Sequence, residues 1–482
     1  MNEQAVSVKI LDRYPAVDTA GIDEMLQEEI KNSGIKILVL DDDPTGVQTV
    51  HDISVYTDWS EESIRQGLME DSRLFYILTN SRGFTMEQTR KVHRTIAENV
   101  VKAAGELGIR TVIMSRSDST LRGHYPTEPQ VLREVLEEKG GTKLDGEILC
   151  PFFKEGGRFT IDDIHYVREG EWLIPAGETE FAKDKTFGYH SSNLREYVEE
   201  KTHGRYRAED VCSISLDSLR GMDIDGVTGQ LMEVRNFQKV IVNAIDDCDL
   251  KVFCAALYRA MGQGKNFMFR TAAGLVKVMG GITDIPLLER KDMVSRETDM
   301  GGIVVVGSHT QKTTDQLREL LTLNRVEGVH FHSNLVLQGE EAFEAEIGRA
   351  VNISEEIIRS GKTAVCYTDR NLLSVEHETK EEALLRSVRI SDGVQALVGR
   401  LTVTPAFVVA KGGITSSDIG TKALKVKRAD VMGQVKPGIP VWRTGGESKF
   451  PQTPYVIFPG NVGEVQTLKE VVQILTGEDR DE

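Results

Sequence analysis

Short runs of branched and aromatic residues, unbroken by polar alternation, recur along nearly the whole chain and set the strongest limit on its fold. They include Ile35–Leu40, Arg73–Leu78, Thr111–Met114 and Lys239–Val242, then Gly302–Val306, Val329–His332, Thr363–Tyr367, Ala406–Ala410 and Tyr455–Phe458. An apolar run of about four to six residues without alternation suits a strand covered on both faces. Between the runs lie amphipathic stretches with helical spacing: 87–107, 129–138, 250–261, 313–323, 340–359, 380–398 and 464–476. Strand, helix and strand in repetition predict an α/β protein with mostly parallel sheets and helices on both faces.

A chain of 482 residues has room for two or three domains. The segment 280–302 carries two Gly-Gly pairs, a proline and a charge-rich stretch before a new buried run begins. It predicts an N-terminal domain over 1–285, a linker over 286–300 and a C-terminal domain over 301–482. The net charge of −17 repels phosphate backbones and anionic lipid, which argues against nucleic-acid and membrane partners. Five scattered cysteines form no Cys-x-x-Cys pair, so neither a disulfide framework nor a zinc ribbon is expected. The first residues lack the apolar core of a signal peptide, and no stretch reaches the roughly 20 apolar residues of a membrane span. A cytoplasmic protein is expected.

Ligands of open parallel sheets bind beyond the carboxyl ends of the strands, so the residues after each run are the candidates. In the first half these are Asp41-Asp42-Asp43-Pro44-Thr45-Gly46, Thr79-Asn80-Ser81-Arg82-Gly83 and Ser115-Arg116-Ser117-Asp118-Ser119-Thr120-Leu121-Arg122-Gly123. Any one of them reads equally well as turn and cap residues. Together they supply carboxylates, hydroxyls and arginines, the chemistry that holds a small hydroxylated carboxylate. The second half offers Gly307-Ser308-His309-Thr310, Lys411-Gly412-Gly413-Ile414-Thr415 and Pro459-Gly460-Asn461. Glycine and hydroxyl turns between a strand and a helix suit a phosphate. These features predict a phosphotransferase with a polyhydroxy acid on the first domain, ATP phosphates on the second, and the active site in the interdomain cleft.

Stock motifs fail. GSHTQKT lacks the second glycine of a Walker A loop, and G-x-G-x-x-G, G-x-S-x-G and H-E-x-x-H are absent. His330-x-His332 lies in an extended run, where both rings share a face. That suits a metal pair or two hydrogen-bonded sheet histidines, the second being the commoner outcome.

The chain resembles the four-carbon acid sugar kinase family, bacterial enzymes that phosphorylate threonate, erythronate and 3-oxo-tetronate. The resemblance rests on Asp42–Gly46, Asn80-Ser81-Arg82, the hexapeptide Asp118–Gly123, Cys150–Val167 and Phe269–Ala273. In the second half it rests on GSHTQKTTDQL, KGGITSSDI, KRADVMGQVKPGIPVW and ESKFPQTPYVIFPGNVG. The resemblance implies a sugar-acid site lined by Asp42, Asp43, Ser81, Arg82, Asp118, Ser119 and Arg122, to which the strand-end reading adds Thr45 and Arg116. It implies a nucleotide site at Ser308, Gly412, Gly413, Ile414, Thr415 and Gly460, with Thr310 and Asn461 in the same turns. ATP and Mg²⁺ are the implied cofactors, a small sugar acid the partner, and a homodimer the assembly. Asp42, Asp43 and Asp118 are the candidates for accepting the hydroxyl proton. Gly412-Gly413-Ile414-Thr415 stands where the 3-oxo-tetronate kinases have Gly-Gly-Glu-Thr, which points away from that substrate. Two rival readings exist: a haloacid-dehalogenase-like phosphatase using Asp41-x-Asp43, and a non-catalytic sugar-acid-binding protein.

Overall fold

Strands apolar on both faces need helices above and below them. The computed structural model, which describes residues 4–14, 17–294, 298–370, 373, 378–460 and 462–478, contains that arrangement twice. The chain divides into two compact units, Met1–Thr49 with Asp58–Asp284, and Val50–Thr57 with Ile285–Glu482. It is a two-domain α/β protein.

In the first unit the strands run in the order Cys212–Ile214, Gln238–Val242, Gly146–Cys150, Phe267–Thr271, Thr111–Arg116, Lys36–Asp41 and Leu74–Leu78. Each pair of neighbours is parallel. Lys36–Asp41 and Leu74–Leu78 are buried along their whole length, as their unbroken apolar runs require. The helix Met86–Leu107 starts at a capping box, in which Thr85 accepts from the Gln88 backbone N–H while Gln88 accepts from that of Thr85. It stops at Gly108, whose φ of 66° suits glycine. A second, antiparallel sheet of Val6–Ser7, Trp172–Pro175, Ile164–Glu169 and Arg158–Ile161 lies within the same unit. A bridge between Thr160 and Ala244 ties it to the segment after Gln238–Val242.

The sheet of the second unit is mixed. Pro454–Phe458, Val408–Lys411, Ile303–Val306, Thr363–Thr368 and Val326–Phe331 are parallel neighbours in that order. Ile53–Tyr56, Arg428–Lys436 and Ile439–Thr444 extend it antiparallel from the Pro454 side. The hairpin turns at Pro437-Gly438, where Gly438 has a φ of 78°, the pairing of residues that a type II turn favours. One excursion differs from a simple division at 285: Ile53–Tyr56 pairs with Arg428–Val431 and so belongs to the second unit. Pairing between segments so far apart in the chain leaves no local trace in either. The five cysteines are free thiols. Among the described residues no helix is long and apolar enough to cross a membrane.

Candidate active site

Four neighbouring parallel strands of the first unit deliver charged residues at their carboxyl ends. Asp41 closes Lys36–Asp41, Arg116 closes Thr111–Arg116, Arg270 lies one residue before the end of Phe267–Thr271, and Arg82 follows Leu74–Leu78 across the Thr79–Ser81 turn. Asp41 and Arg116 form a buried pair, Arg116 Nη1 donating to Asp41 Oδ1 at 2.9 Å, with the two residues 1% and 5% exposed. Gly46 crosses this pair so closely that a Cβ there would lie 1.8 Å from Asp41 Oδ2 and 2.3 Å from Arg116 Nη1. Only glycine permits that approach.

One step outward, Arg82 grips two carboxylates. Its Nη2 donates to Asp42 Oδ1 at 2.7 Å and its Nη1 to Asp43 Oδ2 at 3.2 Å. Ser117 Oγ donates to the other oxygen of Asp42. Asp43 Oδ1 in turn accepts from the Thr45 N–H at 2.8 Å and its hydroxyl at 2.6 Å. Asp118 accepts from Arg122 Nε at 2.6 Å and from the Thr120 hydroxyl. The partly exposed charges are thus Arg82, Asp43 and Arg122, with side chains 23%, 21% and 25% exposed. Arg122 stacks over Phe181 at 5.0 Å and uses only its Nε for Asp118, so its two terminal nitrogens point elsewhere.

The loop 119–122 owes its shape to residues far along the chain. His165 Nε2 donates to the Ser119 carbonyl at 2.7 Å, Tyr189 Oη to that of Thr120 at 2.7 Å, and Tyr197 Oη to that of Leu121 at 2.9 Å. Arg270 Nη2 donates to the Arg122 carbonyl at 3.1 Å. Since a carbonyl only accepts, the His165 proton sits on Nε2, and Nδ1 accepts from Thr160 Oγ1 at 3.0 Å. Leu121 adopts a φ of 68° within this loop. Glu128 closes the floor, accepting from Arg270 Nη1 at 2.6 Å and from Ser81 Oγ at 2.7 Å.

Electrostatics separate the carboxylates. Burial pushes Asp41 up to about 7, and Arg116 only partly offsets it. Burial would also raise Asp42 and Asp118, but guanidinium groups reverse the sign: Arg82 with Arg116 and Arg270 for Asp42, Arg82 with Arg122 for Asp118. Both acids lie below the usual carboxylate range. Burial holds His165 down to about 4, so it is neutral.

Among the first-half candidates, Asp42, Asp43, Thr45 and Arg82 form one hydrogen-bonded group and Asp118 with Arg122 a second, and Arg82 couples the two through its charge on Asp118. Arg116 lies beneath it, against Asp41. Ser81 is fully buried on Glu128, and Ser119 is 7% exposed with its carbonyl turned to His165. Ser117 stood in a candidate turn without a role assigned to it, and Arg270, Glu128, His165, Tyr189 and Tyr197 were not among the candidates. His165 and Arg270 do lie in the stretches Cys150–Val167 and Phe269–Ala273 that carry the family resemblance, and Arg270 is also an arginine inside the buried run Phe267–Thr271.

The second unit brings three strand-end turns together. A Cβ on Gly307 would meet Thr415 Oγ1 at 2.3 Å, and one on Gly412 would meet Thr415 Oγ1 at 3.5 Å and Ser308 Cβ at 3.6 Å. Gly460 faces the Gly412 Cα at 4.0 Å by the same measure, and Gly413 is open on its Cβ side. Ser308, Gly412, Gly413, Thr415 and Gly460 therefore share one glycine-lined recess. Thr310 caps the helix Gln311–Leu320, accepting from the Thr313 N–H at 3.3 Å. Ile414 projects from the turn, 75% exposed. Asn461 lies outside the described residues. Beneath the recess the buried Lys411 donates to the carbonyls of Pro459 at 2.7 Å and Gly460 at 3.1 Å. Burial, aided by Lys312, pushes its ammonium down to about 7.

A family model described as a sugar-binding N-terminal domain matches residues 37–279, and one described as a nucleotide-binding C-terminal domain matches 303–468. The chain belongs to the four-carbon acid sugar kinase family. Among solved structures it is similar to a Salmonella typhimurium LT2 protein provisionally described as a tRNA synthase. That likeness has 15% identity, a TM-score of 0.65 and coverage of 91% of this chain and 98% of the other. It is also similar to the Haemophilus influenzae protein HI1011, with 15% identity, a TM-score of 0.60 and coverage of 90% and 99%. At that identity the likeness concerns the fold. No curated protein matches the chain significantly.

Proposed function

We propose that the protein is an ATP-dependent kinase that phosphorylates the terminal hydroxyl of a four-carbon sugar acid of the threonate or erythronate type. The observation that carries this reading is the cluster at Asp42, Asp43, Arg82, Asp118 and Arg122, built into a domain of the sugar-binding family. Phosphoryl transfer needs an acceptor held in place, a base within about 2.6–3.2 Å of its hydroxyl, and donors for the phosphate charge. The terminal nitrogens of Arg122 clamp the substrate carboxylate in the bidentate manner guanidinium favours. Arg82 holds Asp42 and Asp43 in register, and Asp43, the more exposed of the two, accepts the hydroxyl proton. Asp41 and Arg116 fix the floor. The glycine-lined recess of the nucleotide-binding domain suits the closely approaching phosphates of ATP, with Ile414 offering an apolar face to the base. Mg²⁺ enters with the nucleotide and neutralises phosphate charge; we assign it no protein ligand.

Burial of Asp41 weighs against the phosphatase reading, because an attacking carboxylate must reach the phosphorus and this one is enclosed by Arg116 and Gly46. The test is ADP release by the purified protein across D- and L-threonate, D- and L-erythronate and their oxidised forms. The reading requires ADP release that depends on at least one of them. Tight binding of an acid without turnover would favour a binding protein instead.

A further inference from the structure

Beside the strand-end turn that holds Ser308, the second unit gathers three side chains that metals favour. His330 lies in Val326–Phe331, His332 follows one residue beyond its end, and Asp369 follows the neighbouring parallel strand Thr363–Thr368. The register sets Phe331 beside Thr368, so the residues leaving the two strands are neighbours. Alternation places both histidines on one side, and their ring centroids are 4.1 Å apart. His330 Nε2 lies 2.8 Å from Asp369 Oδ1, and one donor atom from each of the three residues falls within 4.8 Å of the others.

Each of the three is held from behind. The Tyr367 ring stacks on His330 at 5.2 Å and 8°. Asp369 Oδ2 accepts from Ser333 Oγ at 3.2 Å and the Asn334 N–H at 2.9 Å. The His332 N–H donates to Glu346 Oε1 at 2.8 Å, and Glu346 is itself gripped by Arg349. The contacts on Asp369 are of the kind that orient a metal ligand, the Tyr367 stack sets the plane of the His330 ring, and the Glu346 contact fixes the His332 backbone. The site also has an open side, since the His330 side chain is 38% exposed and His332 is an exposed residue.

We propose that His330, His332 and Asp369 bind a divalent transition ion of the zinc class, with a fourth position left to water or a ligand. Two imidazoles and one carboxylate match three-ligand zinc sites, and imidazole selects zinc, cobalt or nickel over magnesium. The site is therefore distinct from any Mg²⁺ that accompanies a nucleotide. Ligand atoms around a tetrahedral zinc lie about 3.4 Å apart, so the His330–Asp369 hydrogen bond opens by roughly half an ångström to admit the ion. The ion would also be felt at the phosphate turn. The Asp369 carbonyl accepts from His309 Nδ1 at 3.0 Å, and Arg370 donates to the Ser308 carbonyl. Binding there would stiffen the segment that backs Ser308, and it holds whether or not the protein is a kinase.

The experiment titrates the chelator-stripped full-length protein with Zn²⁺ by calorimetry and with Co²⁺ by visible absorption. One ion per chain is expected, with the intense bands of four-coordinate cobalt. His332→Ala and His330→Gln should weaken binding about tenfold or more, the least that disturbing such a site costs, while His203→Ala, an exposed histidine elsewhere, should change nothing. His332 is exposed, so its alanine variant should melt like the stripped wild type. No binding by the wild type, or equal binding by folded His332→Ala and His330→Gln, would overturn the assignment.

Discussion

At the scale of single residues, the sharpest contrast is between Arg116 at the end of its strand and Arg122 six positions on in the loop that follows. Arg116 is spent on Asp41, whereas Arg122 engages Asp118 through Nε alone, and the proposed function assigns its terminal nitrogens to the acid. Arg122→Ala should raise the KM for the sugar acid about 10- to 100-fold, the equivalent of one charge-assisted pair, and leave the KM for ATP nearly unchanged. An unchanged sugar-acid KM would remove Arg122 from the clamp. Gly46→Ala drives a methyl group into the Asp41–Arg116 pair and should cost about 3 kcal/mol or more in unfolding free energy, read from denaturant melts. The same pair carries a pH signature. Asp41 titrates near 3.8 when unfolded and at about 7 when folded, so over that window the folded state holds the extra proton and stability falls as pH rises. Asp41→Asn abolishes that titration. Wild type should lose stability relative to this variant between about pH 4 and about pH 7, and a pH-independent difference would contradict the assignment.

At the scale of elements, the loop from Asp118 to Gly123 and the turn after Phe458 are held in opposite ways. The first depends on side chains that reach in from other segments, with His165, Tyr189 and Tyr197 each serving one carbonyl. Tyr197→Phe leaves a buried carbonyl without its donor and should cost about 1–2 kcal/mol, with a rise in the sugar-acid KM that a purely structural tyrosine would not produce. The second depends on one buried lysine. Lys411→Met strips the donor from the Pro459 and Gly460 carbonyls and should raise the KM for ATP while sparing that for the acid. Both candidate turns could be found from sequence because a buried parallel strand announces itself as an apolar run, and ligands gather where such runs end. Their supports could not. Tyr189, Tyr197 and His165 are ordinary core residues until the chain folds, and the strands Arg158–Ile161 and Ile164–Glu169 are too polar to stand out. Arg428–Lys436 escapes for another reason: its alternating burial is that of a half-covered strand, not of a two-faced run.

At the scale of the whole molecule, a sugar-binding domain and a nucleotide-binding domain are joined in one chain, each a sheet whose strand ends carry a different chemistry. The α/β class was legible because runs such as Ile303–Val306 and Thr363–Thr368 are buried on both faces. The detour of Ile53–Tyr56 into the second unit was not, because it rests on pairing with a distant strand. Under the proposed function the choice of acid rests on a few hydrogen bonds to hydroxyls, and no run or turn encodes those. Phosphoryl transfer to an acid anchored by Arg122, as proposed, can be followed by phosphorus NMR of the reaction. With ATP, Mg²⁺ and the active tetronate, the wild type should build a phosphate monoester on the terminal hydroxyl, and Arg122→Ala should do so only at far higher acid concentrations. Inorganic phosphate as the sole product, or a monoester formed equally well by the variant, would contradict the account.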